Sequence, residues 1–443
     1  MFVLIECTRA YFMITYNIAV LGGGGREHAL SWKISQSQLC NKLICIPGNP
    51  GTAQVASNFD ASIMDFDKVA SILHEQQINL CIIGPDDPLA AGIVNFLQQH
   101  ISTRNIMVVG PDQYAAQLES SKSFAKKFMN KYHIPTAAYA EFTTADRRQA
   151  IDYIMQHSLP IVLKADGLAL GKGVVICQSH QEAIEELKDM LDGKFGKSSE
   201  RVVIEEYLTG IECSVFIITD GVDYVLLPEA KDYKRIGEQD TGKNTGGMGA
   251  VSPVHFCNAD FMQLVKETII KPTIDGLQSE QIAYKGFIFF GLINVNGKPF
   301  VIEYNARLGD PETEVIMPRI ESDIVTLLVA CAQKKLKDQR CVISDLSAAT
   351  VITVSKGYPD VYTKEKEIHI PESCKSLCFH MGTKLYENTL VTNGGRVLAI
   401  TNLGSSLREA LTLSYIDAEN VQYETKYYRN DIGADLLLMM EKK

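Results

Sequence analysis

Short apolar runs separated by helical stretches open the chain. Four of the runs predict buried strands, because the strands of a parallel sheet are covered on both faces: 17–21, 42–46, 80–83 and 106–109. Helical patterns follow these runs at 29–37, 66–77 and 89–99. Strands that alternate with helices in this way predict an α/β domain built on a parallel sheet.

Three loops that contain glycine follow these strands, and the carboxyl ends of parallel strands share one edge of a sheet. The loops that we expect to form the mouth of a site for a small polar ligand are 22–28, 47–52 and 84–88. In the first loop, Gly22 to Gly25 lead into a helix, so free N–H groups and the helix dipole face an anion. The spacing does not complete a dinucleotide fingerprint, because Glu27 or His28 stands at the third glycine position. A sugar phosphate, NAD and a purely structural turn stay open as alternatives.

A second pattern predicts a hairpin with polar residues on one face. The apolar run 287–295 is followed by Asn296-Gly297, a dipeptide that tight hairpin turns prefer, and then by a predicted strand over 301–307. Alternation along that strand puts Glu303, Asn305 and Arg307 on one face. A carboxylate and an amide oxygen beside a guanidinium can hold a hard cation next to an anionic substrate, with phosphate completing the coordination. The alternative is an edge strand with ordinary ion pairs.

The middle of the chain predicts a lid. Strand 160–164, the glycine-rich loop 166–173 and strand 174–177 form a hairpin that can close over phosphates, although the loop is not a Walker A sequence. A further predicted strand, 201–208, breaks before Glu212. Either the backbone at the break contacts an adenine and Glu212 contacts the ribose, or the segment is an ordinary strand and turn. The basic stretch and the glycine-rich segment at 231–249 suggest an anion-contacting loop or a flexible linker.

Composition narrows the class of protein. A chain of 443 residues is too long for one core and predicts about two to four domains. The formal net charge of −10 argues against general nucleic-acid binding, and no apolar run is long enough to span a bilayer. The 11 cysteines form no Cys-x-x-Cys pair, so we expect reduced thiols and a cytoplasmic protein. We expect residues 1–12 to be a disordered extension or an artefact of start-site choice, not a signal peptide.

An ordered set of motifs from about residue 16 to the end resembles the phosphoribosylamine–glycine ligases, also called glycinamide ribonucleotide synthetases, of the ATP-grasp superfamily. In the first half, the motifs are Gly-Gly-Arg-Glu-His (24–28), Pro-Gly-Asn (47–49), Lys-Ala-Asp-Gly-Leu-Ala (164–169) and Gly-Lys-Gly (171–173). In the second half, they are Asn-Thr-Gly-Gly-Met-Gly (244–249), Glu-Tyr-Asn-Ala-Arg (303–307), Gly-Asp-Pro-Glu-Thr (309–313) and Gly-Gly-Arg (394–396).

The resemblance implies a reaction and a fold. ATP would phosphorylate glycine to glycyl phosphate, and 5-phosphoribosylamine would displace the phosphate to give glycinamide ribonucleotide for purine (IMP) biosynthesis. The implied fold is α/β: an ATP-grasp domain with an N-terminal parallel-sheet (Rossmann-like) domain and a small C-terminal α+β domain. The expected bounds are 13–117 for the phosphoribosylamine-binding domain, 118–342 for the ATP-grasp domain with a lid at 137–207, and 343–443 for the C-terminal domain. The implied protein is cytoplasmic and monomeric, with small-molecule substrates and neither nucleic-acid nor membrane partners.

The resemblance also assigns residues to roles. The implied catalytic residues are Lys164, Arg307 and Asp310. The implied ATP contacts are Lys122, Lys164, Gly171, Lys172, Gly173, Glu205, Glu206, Tyr207, Leu208 and Glu212. The implied contacts to phosphoribosylamine and glycine are Gly24, Gly25, Arg26, Glu27, Asn49, Gly51, Thr52, Asp86, Asp232, Lys234, Arg307, Asp310, Glu312 and Thr313. Glu303 and Asn305 would hold Mg²⁺ or Mn²⁺.

Three positions depart from the usual pattern of the family. Asp86 stands where Glu is usual, Lys243 where Pro is usual, and Leu308 where Phe is usual. The first puts a substrate contact in doubt and the second the rigidity of a loop, whereas we expect the third to be tolerated. Three rival hypotheses are another ATP-grasp ligase, a non-catalytic nucleotide sensor and a dehydrogenase.

Overall fold

The first domain contains the predicted parallel sheet. The computed structural model describes residues 14–168, 173–196 and 200–441, so the expectation for residues 1–12 lies outside the described residues. Five parallel strands pair in the order β3-β2-β1-β4-β5. They are β1 (Tyr16–Gly22), β2 (Cys40–Pro47), β3 (Ser57–Asn58), β4 (Leu80–Ile83) and β5 (Met107–Val109). The four predicted strands are confirmed, and the short β3 is an addition to them.

Helices cover both faces of this sheet. They are α1 (Gly25–Ser35), α2 (Phe66–Glu75), α3 (Asp86–Ala90) and α4 (Ile93–Gln99). Alternate residues of β1 enter two separate cores: Ile18 and Val20 pack in the core that contains α1, and Ala19 and Leu21 in the core with α2 and α4. The prediction of one helix over 89–99 is wrong, because Gly92 takes a φ of 90° and divides it.

A four-stranded antiparallel sheet forms the predicted lid region. The segment before this sheet forms two helices, α5 (Gln117–Ser120) and α6 (Lys122–Lys131), because Ser121 is extended and accepts a hydrogen bond from the N–H of Phe124 as the cap of α6. The sheet has the order β6-β9-β7-β8. Its elements are β6 (Tyr139–Thr143), α7 (Arg147–Gln156), β7 (Ile161–Ala165), β8 (Val174–Cys177), α8 (His180–Leu191) and β9 (Arg201–Glu206).

The hairpin predicted from the apolar run 287–295 and Asn296-Gly297 is confirmed. It lies inside another antiparallel sheet, whose strands have the order β11-β10-β16-β17. Asn296 and Gly297 form the turn with φ values of 51° and 84°. The segment from the lid to the hairpin contains β10 (Ile211–Thr219), β11 (Tyr224–Leu226), β12 (Lys231–Asp232), β13 (Arg235–Gly237), β14 (Thr241–Asn244), β15 (Gly249–Ser252), α9 (Ala259–Val265) and α10 (Lys271–Ser279). The hairpin and the helices after it are β16 (Gly286–Val295), β17 (Lys298–Asn305), α11 (Thr313–Arg319) and α12 (Ile324–Ala332).

The C-terminal part adds a five-stranded sheet, ordered β12-β15-β18-β22-β19, and a hairpin of β20 with β21. Its elements are β18 (Ser347–Val354), β19 (Leu377–His380), β20 (Thr383–Tyr386), β21 (Thr389–Thr392), β22 (Arg396–Gly404), α13 (Leu407–Asn420) and α14 (Ala434–Glu441). Since β12 and β15 precede the hairpin in the chain, this sheet ties the segment 231–252 to the C-terminal strands. None of the helices in the described ranges has both the length and the apolar character that crossing a membrane requires.

Candidate active site

The loops at the carboxyl edge of the first sheet meet as predicted. The N–H of Gly48 donates to the carbonyl of Gly22 at 3.1 Å, and Nδ2 of Asn49 donates to the carbonyl of Gly23 at 3.0 Å. Oδ1 of Asn49 accepts from the N–H groups of Gly51 and Thr52 at 2.8 and 2.9 Å. Asn49 is buried, so its amide fixes the 47–52 loop against the glycine loop before α1.

The first turn of α1 is closed by an internal ion pair. Nε of Arg26 lies 2.6 Å from Oε1 of Glu27, and Oε2 of Glu27 accepts from the N–H of Gly24 at 2.8 Å. Arg26 also donates to the carbonyl of Leu308 at 3.3 Å. Burial would lower the pKa of Arg26, but Glu27 and Asp310 outweigh burial and raise it. Arg26 therefore stays charged and links α1 to the 308–310 segment.

This capping explains why the helix prediction over 29–37 is wrong at its start. Four glycines are poor helix formers, yet α1 begins at Gly25, because the side chain of Glu27 reaches back to the N–H of Gly24. The first turn of the helix consequently lies directly at the sheet edge.

Strand β19 of the C-terminal sheet covers these loops. The N–H of His380 donates to Nδ1 of His28 at 2.9 Å, and Nδ2 of Asn49 donates to the carbonyl of His380 at 2.8 Å. Burial lowers the pKa of His28 to about 3 and that of His380 to about 4, so both rings are neutral at physiological pH. No local pattern pointed to this role for His380, which lies 352 residues from His28 along the chain.

Arg396 from β22 brings a second C-terminal group to the site. It lies 2.9 Å from Oδ1 of Asp310 and also donates to the carbonyls of Asp310 and Gly246, at 2.9 and 2.5 Å. Gly247, with a φ of 112°, leaves room for Pro311, so the glycine-rich segment lies between Arg396 and the 309–313 run. The motif at 394–396 stands out in the sequence, but no role was predicted for Arg396.

Two further predicted substrate residues lie buried in the 309–313 run. Oε1 of Glu312 accepts from the hydroxyl of Ser214 at 3.1 Å, and the hydroxyl of Thr313 donates to the carbonyl of Gly309 at 2.5 Å. Burial, and then the nearby Asp232 carboxylate, raise the pKa of Glu312 to about 7. The run is thus held internally through Thr313 and Gly309, and against β10 through Glu312 and Ser214.

Lysines converge on Glu205 in the cleft between the two antiparallel sheets. Nζ of Lys164 lies 3.0 Å from Oε1 of Glu205 and donates to the carbonyl of Ile302 at 3.1 Å. Nζ of Lys126 lies 3.1 Å from Oε2 of Glu205. Lys126 was not predicted, and burial lowers its pKa to about 8 although Glu205 opposes the change. Lys164 is thereby fixed between the lid sheet and the hairpin strand β17.

The glycine-rich loop is attached at both of its described ends. Nζ of Lys122 donates to the carbonyl of Gly167 at 3.0 Å, and the N–H of Ala165 donates to the carbonyl of Gly173 at 2.8 Å. Two other predicted ATP contacts, Gly171 and Lys172, lie outside the described residues. Lys122 therefore sits next to the start of the predicted phosphate-covering loop.

The strand break after β9 leaves backbone groups available. Oε1 of Glu206 accepts from the N–H of Ala138 at 2.9 Å, and the N–H of Glu206 donates to the carbonyl of Ala138 at 3.0 Å. Tyr207 is exposed and Leu208 half-buried just beyond the end of β9. Both carboxylates of the 205–206 pair are therefore engaged by other groups, whereas Tyr207 and Leu208 follow the end of the strand.

Glu303 carries a negative charge among cations. Gly291 stands opposite Glu303 in the neighbouring strand and leaves room for its side chain. Burial would raise the pKa of Glu303, but Lys234 and Lys164 outweigh burial and hold it below its usual value. Asn305 is also buried and ends β17 on the same row.

Lys234 connects this row to Glu212. Its Nζ donates to Oε2 of Glu212 at 3.0 Å. Burial would lower the pKa of Lys234, but the carboxylates of Glu212 and Asp232 outweigh burial and hold it well above its usual value. Burial in turn raises the pKa of Asp232, which Lys234 opposes. Predicted ATP and substrate residues therefore share one charged network.

The prediction that the strand runs to Arg307 is wrong, because β17 ends at Asn305. The N–H of Ala306 donates to Oε2 of Glu119 at 2.8 Å, and NH2 of Arg307 lies 2.7 Å from Oε1 of Glu119. Burial raises the pKa of Glu119 to about 7 against the opposing effect of Arg307. Arg307 still lies near Glu303, but its ion pair with Glu119 holds it beyond the end of the strand. No role was predicted for Glu119.

The structure shows what surrounds the three residues that depart from the usual family pattern. Asp86 is half-buried at the start of α3 and contributes to the electrostatic environment of Arg26 and Glu119. Lys243 is exposed and forms an ion pair with Asp360 at 2.7 Å. Leu308 is buried in the main hydrophobic core.

The comparisons with known proteins agree with this geometry. Three phosphoribosylglycinamide synthetase family models match in order: the N domain over 16–119, the ATP-grasp (A) domain over 120–313 and the C domain over 348–435. The chain is 41% identical over 428 residues to the phosphoribosylamine–glycine ligase of Chlorobaculum tepidum, covering 95% of the chain and 100% of the relative. It is 42% identical over 418 residues to that of Agrobacterium fabrum, covering 94% and 97%.

Solved structures are similar over nearly the whole chain. The crystal structure of phosphoribosylamine–glycine ligase from Thermotoga maritima superimposes with a TM-score of 0.83 at 35% identity, covering 94% of this chain and 99% of that one. The biotin carboxylase domain of the Hydrogenobacter thermophilus 2-oxoglutarate carboxylase, solved with MgADP, gives a TM-score of 0.70 at 14% identity over 93% and 92%, which shows a shared fold alone. The chain therefore belongs to the phosphoribosylglycinamide synthetase, or phosphoribosylamine–glycine ligase, family, and its fold is the ATP-grasp fold.

Proposed function

We propose that the protein ligates glycine to 5-phosphoribosylamine through glycyl phosphate, with release of glycinamide ribonucleotide, ADP and phosphate in purine biosynthesis. One observation carries the proposal: the segment from Glu303 to Thr313 runs directly from the charged row in the cleft to the first turn of α1. Two anion-binding regions are thereby joined by eleven residues, which is what a reaction between ATP-activated glycine and a sugar phosphate requires.

ATP would lie in the cleft between the lid sheet and the hairpin. Lys122 and Lys164 would neutralise its phosphates, with Gly171, Lys172 and Gly173 closing over them. The backbone at Tyr207 and Leu208, next to Glu205 and Glu206, would take the adenine, and Glu212 the ribose hydroxyls. The support for this placement is that Lys164 is fixed by Glu205 and the carbonyl of Ile302, within reach of the same cleft.

Glu303 and Asn305 would hold the divalent cation, Mg²⁺ or Mn²⁺. Glu303 is kept ionised by its neighbours, and the structure has no group of three or more potential ligands from His, Cys, Asp and Glu within the described ranges. A carboxylate and an amide fit a metal that completes its shell with waters and phosphate oxygens. When bound, the ion would offset phosphate charge and align the transferring phosphoryl group.

Phosphoribosylamine would lie at the edge of the first sheet. Its phosphate would meet the first turn of α1 and the 47–52 loop, where N–H groups and the helix dipole favour an anion. The contacts proposed there are Gly24, Gly25, Arg26, Glu27, Asn49, Gly51 and Thr52, with Asp86 toward the ribose. The support is that Asn49 and Glu27 hold these loops in one fixed arrangement.

The residues between the two regions would handle the reacting groups. The glycine carboxylate would attack the γ-phosphorus of ATP, the bond from that phosphorus to the bridging oxygen would break to release ADP, and Lys164 and Arg307 would offset the charge that gathers there. The amine then attacks the acyl carbon, the carbon–oxygen bond to phosphate breaks, and the amine loses a proton. Asp310 would orient the amine. Asp232, Lys234, Glu312 and Thr313 would complete the wall, and the lid would exclude water from the acyl phosphate.

The domain bounds stay a proposal: 13–117, 118–342 with a lid at 137–207, and 343–443. The cytoplasmic location, the monomeric state, the lack of nucleic-acid and membrane partners and the choice between Mg²⁺ and Mn²⁺ also stay predictions.

ADP release tests the proposed function. The assay contains Mg-ATP and glycine, with and without phosphoribosylamine formed in place from ribose 5-phosphate and ammonia. We expect release only when both co-substrates are present. Release with another amine or acid would indicate a different ATP-grasp ligase, and ATP binding without release would indicate a nucleotide sensor.

A further inference from the structure

Glu314 is a buried carboxyl group without a hydrogen-bond partner. It lies in the first turn of α11 with a relative exposure of 0%, and neither of its oxygens meets a donor in the described part of the chain. Buried polar groups are almost always paired, so this one calls for an explanation. A carboxylate that is buried without a donor or a cation loses its hydration, and such a group takes up a proton instead.

The carboxyl group of Glu314 lies against the first turn of α1. A Cβ at Gly25 would overlap Oε1 of Glu314, and a Cβ at Gly24 would lie 3.4 Å from Oδ2 of Asp310. The Glu314 carboxyl group thus occupies the side-chain space of Gly25, and the Asp310 carboxylate lies in ordinary contact distance of the neighbouring Gly24. This is the helix end at which we place the phosphate of phosphoribosylamine.

The surrounding charges favour a neutral group. Burial raises the pKa of Glu314 well above its usual value, Asp310 raises it further, Arg396 opposes them and Glu312 adds to the rise. Arg396 already neutralises Asp310 at 2.9 Å. An ionised Glu314 would therefore add an uncompensated negative charge beside the bound phosphate. A protonated Glu314 adds none, and its O–H can donate to the Asp310 carboxylate.

We propose that Glu314 is a positioning residue that keeps its proton and holds Asp310 and the first turn of α1 in place for phosphoribosylamine. The inference rests on the proposed function. It sets two requirements at this position: a hydrogen-bond donor of glutamate length, and no charge. Glutamine meets both requirements, whereas methionine is also uncharged but offers no donor.

The variants Glu314→Gln and Glu314→Met separate these requirements. The measurements are kcat and KM for phosphoribosylamine, and the Kd of the stable product glycinamide ribonucleotide by calorimetry at pH 8. We expect Glu314→Met to raise that KM and Kd about tenfold, the effect of one lost hydrogen bond. Glu314→Gln should rescue most of the loss, and KM for ATP should hold in both variants.

Glu119→Gln is the matched control. Glu119 is also buried, but it is paired with Arg307 at 2.7 Å, so removing its charge should lower kcat where Glu314→Gln does not. If Glu314→Gln is as defective as Glu314→Met, the group acts ionised and the inference is overturned. If Glu314→Met matches the unmodified protein, the side chain only fills space and the inference is likewise overturned.

Two further measurements cover the case in which Glu314→Met does not fold and the case in which the proposed function itself is wrong. If Glu314→Met does not fold, the product Kd of Glu314→Gln and of the unmodified protein is compared between pH 6.5 and 8.5. If the Kd of the two proteins changes with pH in the same way, Glu314 is neutral throughout this range, as the inference requires. If the two Kd profiles diverge, the inference is overturned. Unmodified protein that binds ATP but lacks ligase activity would refute the proposed function itself, which is a separate result from any difference among the Glu314 variants.

Discussion

Glu119→Gln tests how Arg307 is held beside Glu303, just after the end of β17. Oε1 of Glu119 lies 2.7 Å from the Arg307 guanidinium, and Oε2 accepts from the N–H of Ala306 at 2.8 Å. The exposed fractions of the two side chains are 6% for Glu119 and 18% for Arg307. Glutamine keeps the shape and one acceptor, but it removes the charge and places an N–H₂ group near the guanidinium.

The expected magnitude follows from that burial. Removing one partner of a buried ion pair costs about 3–5 kcal/mol, and partial access of water to Arg307 places this pair near the lower figure. Nε of Arg307 already lacks a partner in the described part of the chain, and NH1 donates to the carbonyl of the adjacent Leu308 at 3.2 Å, so Glu119 provides the ion pair that holds the guanidinium. We expect about half of the loss to appear as misplacement of Arg307, which lowers kcat roughly tenfold. The other half should appear as a lower melting temperature.

The assay is ADP release at saturating substrates and pH 8, together with thermal unfolding. Glu141→Gln is the control, because Glu141 is also largely buried and lies 3.0 Å from both Lys127 and Arg201, in the lid sheet. It should lose stability while keeping kcat. A Glu119→Gln protein that melts earlier yet keeps its full kcat would refute the idea that Glu119 positions Arg307.

Three other substitutions probe other parts of the site. Lys126→Met leaves Glu205 with a single cation, so KM for ATP should rise about tenfold with KM for glycine intact; equal effects on both would contradict this. Arg396→Met should raise KM for phosphoribosylamine by about tenfold or more in steady-state assays without changing KM for ATP. His28 and His380 bind protons only near pH 3 and 4 when folded. Since unfolded histidines bind them below about pH 6.5, stability should fall as pH drops from there, by up to about 1.4 kcal/mol per unit for each ring. His380→Gln should flatten that slope in denaturant unfolding, and an unchanged slope would contradict it.

Local patterns were enough to predict much of the fold. The apolar runs marked four of the five strands of the first sheet, and Asn296-Gly297 marked the hairpin that presents Glu303. Both signals depend on neighbours in sequence, through burial on two faces and through backbone conformation at a turn. The bounds failed where a side chain from elsewhere decided them, as at Arg307.

The residues that hold the predicted site residues in place could not be predicted from local patterns. Arg396 reaches Asp310 across 86 residues, and Glu119 reaches Ala306 across 187. A buried ion pair between such distant positions leaves no periodicity or spacing in the sequence. Lys126 looked like one more lysine on a helix, and only the packed structure shows it against Glu205. Motifs therefore pointed to the groups that we place against the substrates, and tertiary contacts revealed the groups that hold them.

The central claim is that the protein joins glycine to phosphoribosylamine through glycyl phosphate. Transfer of ¹⁸O from glycine to phosphate tests this claim most directly. Glycine labelled with ¹⁸O in its carboxyl group is turned over with Mg-ATP and phosphoribosylamine, and the released phosphate is analysed by mass spectrometry. Formation of glycyl phosphate and its displacement by the amine leave one glycine oxygen on each phosphate, so we predict one ¹⁸O per phosphate released. Phosphate that carries no ¹⁸O, with both labels kept in the product or in glycine, would contradict the proposed reaction.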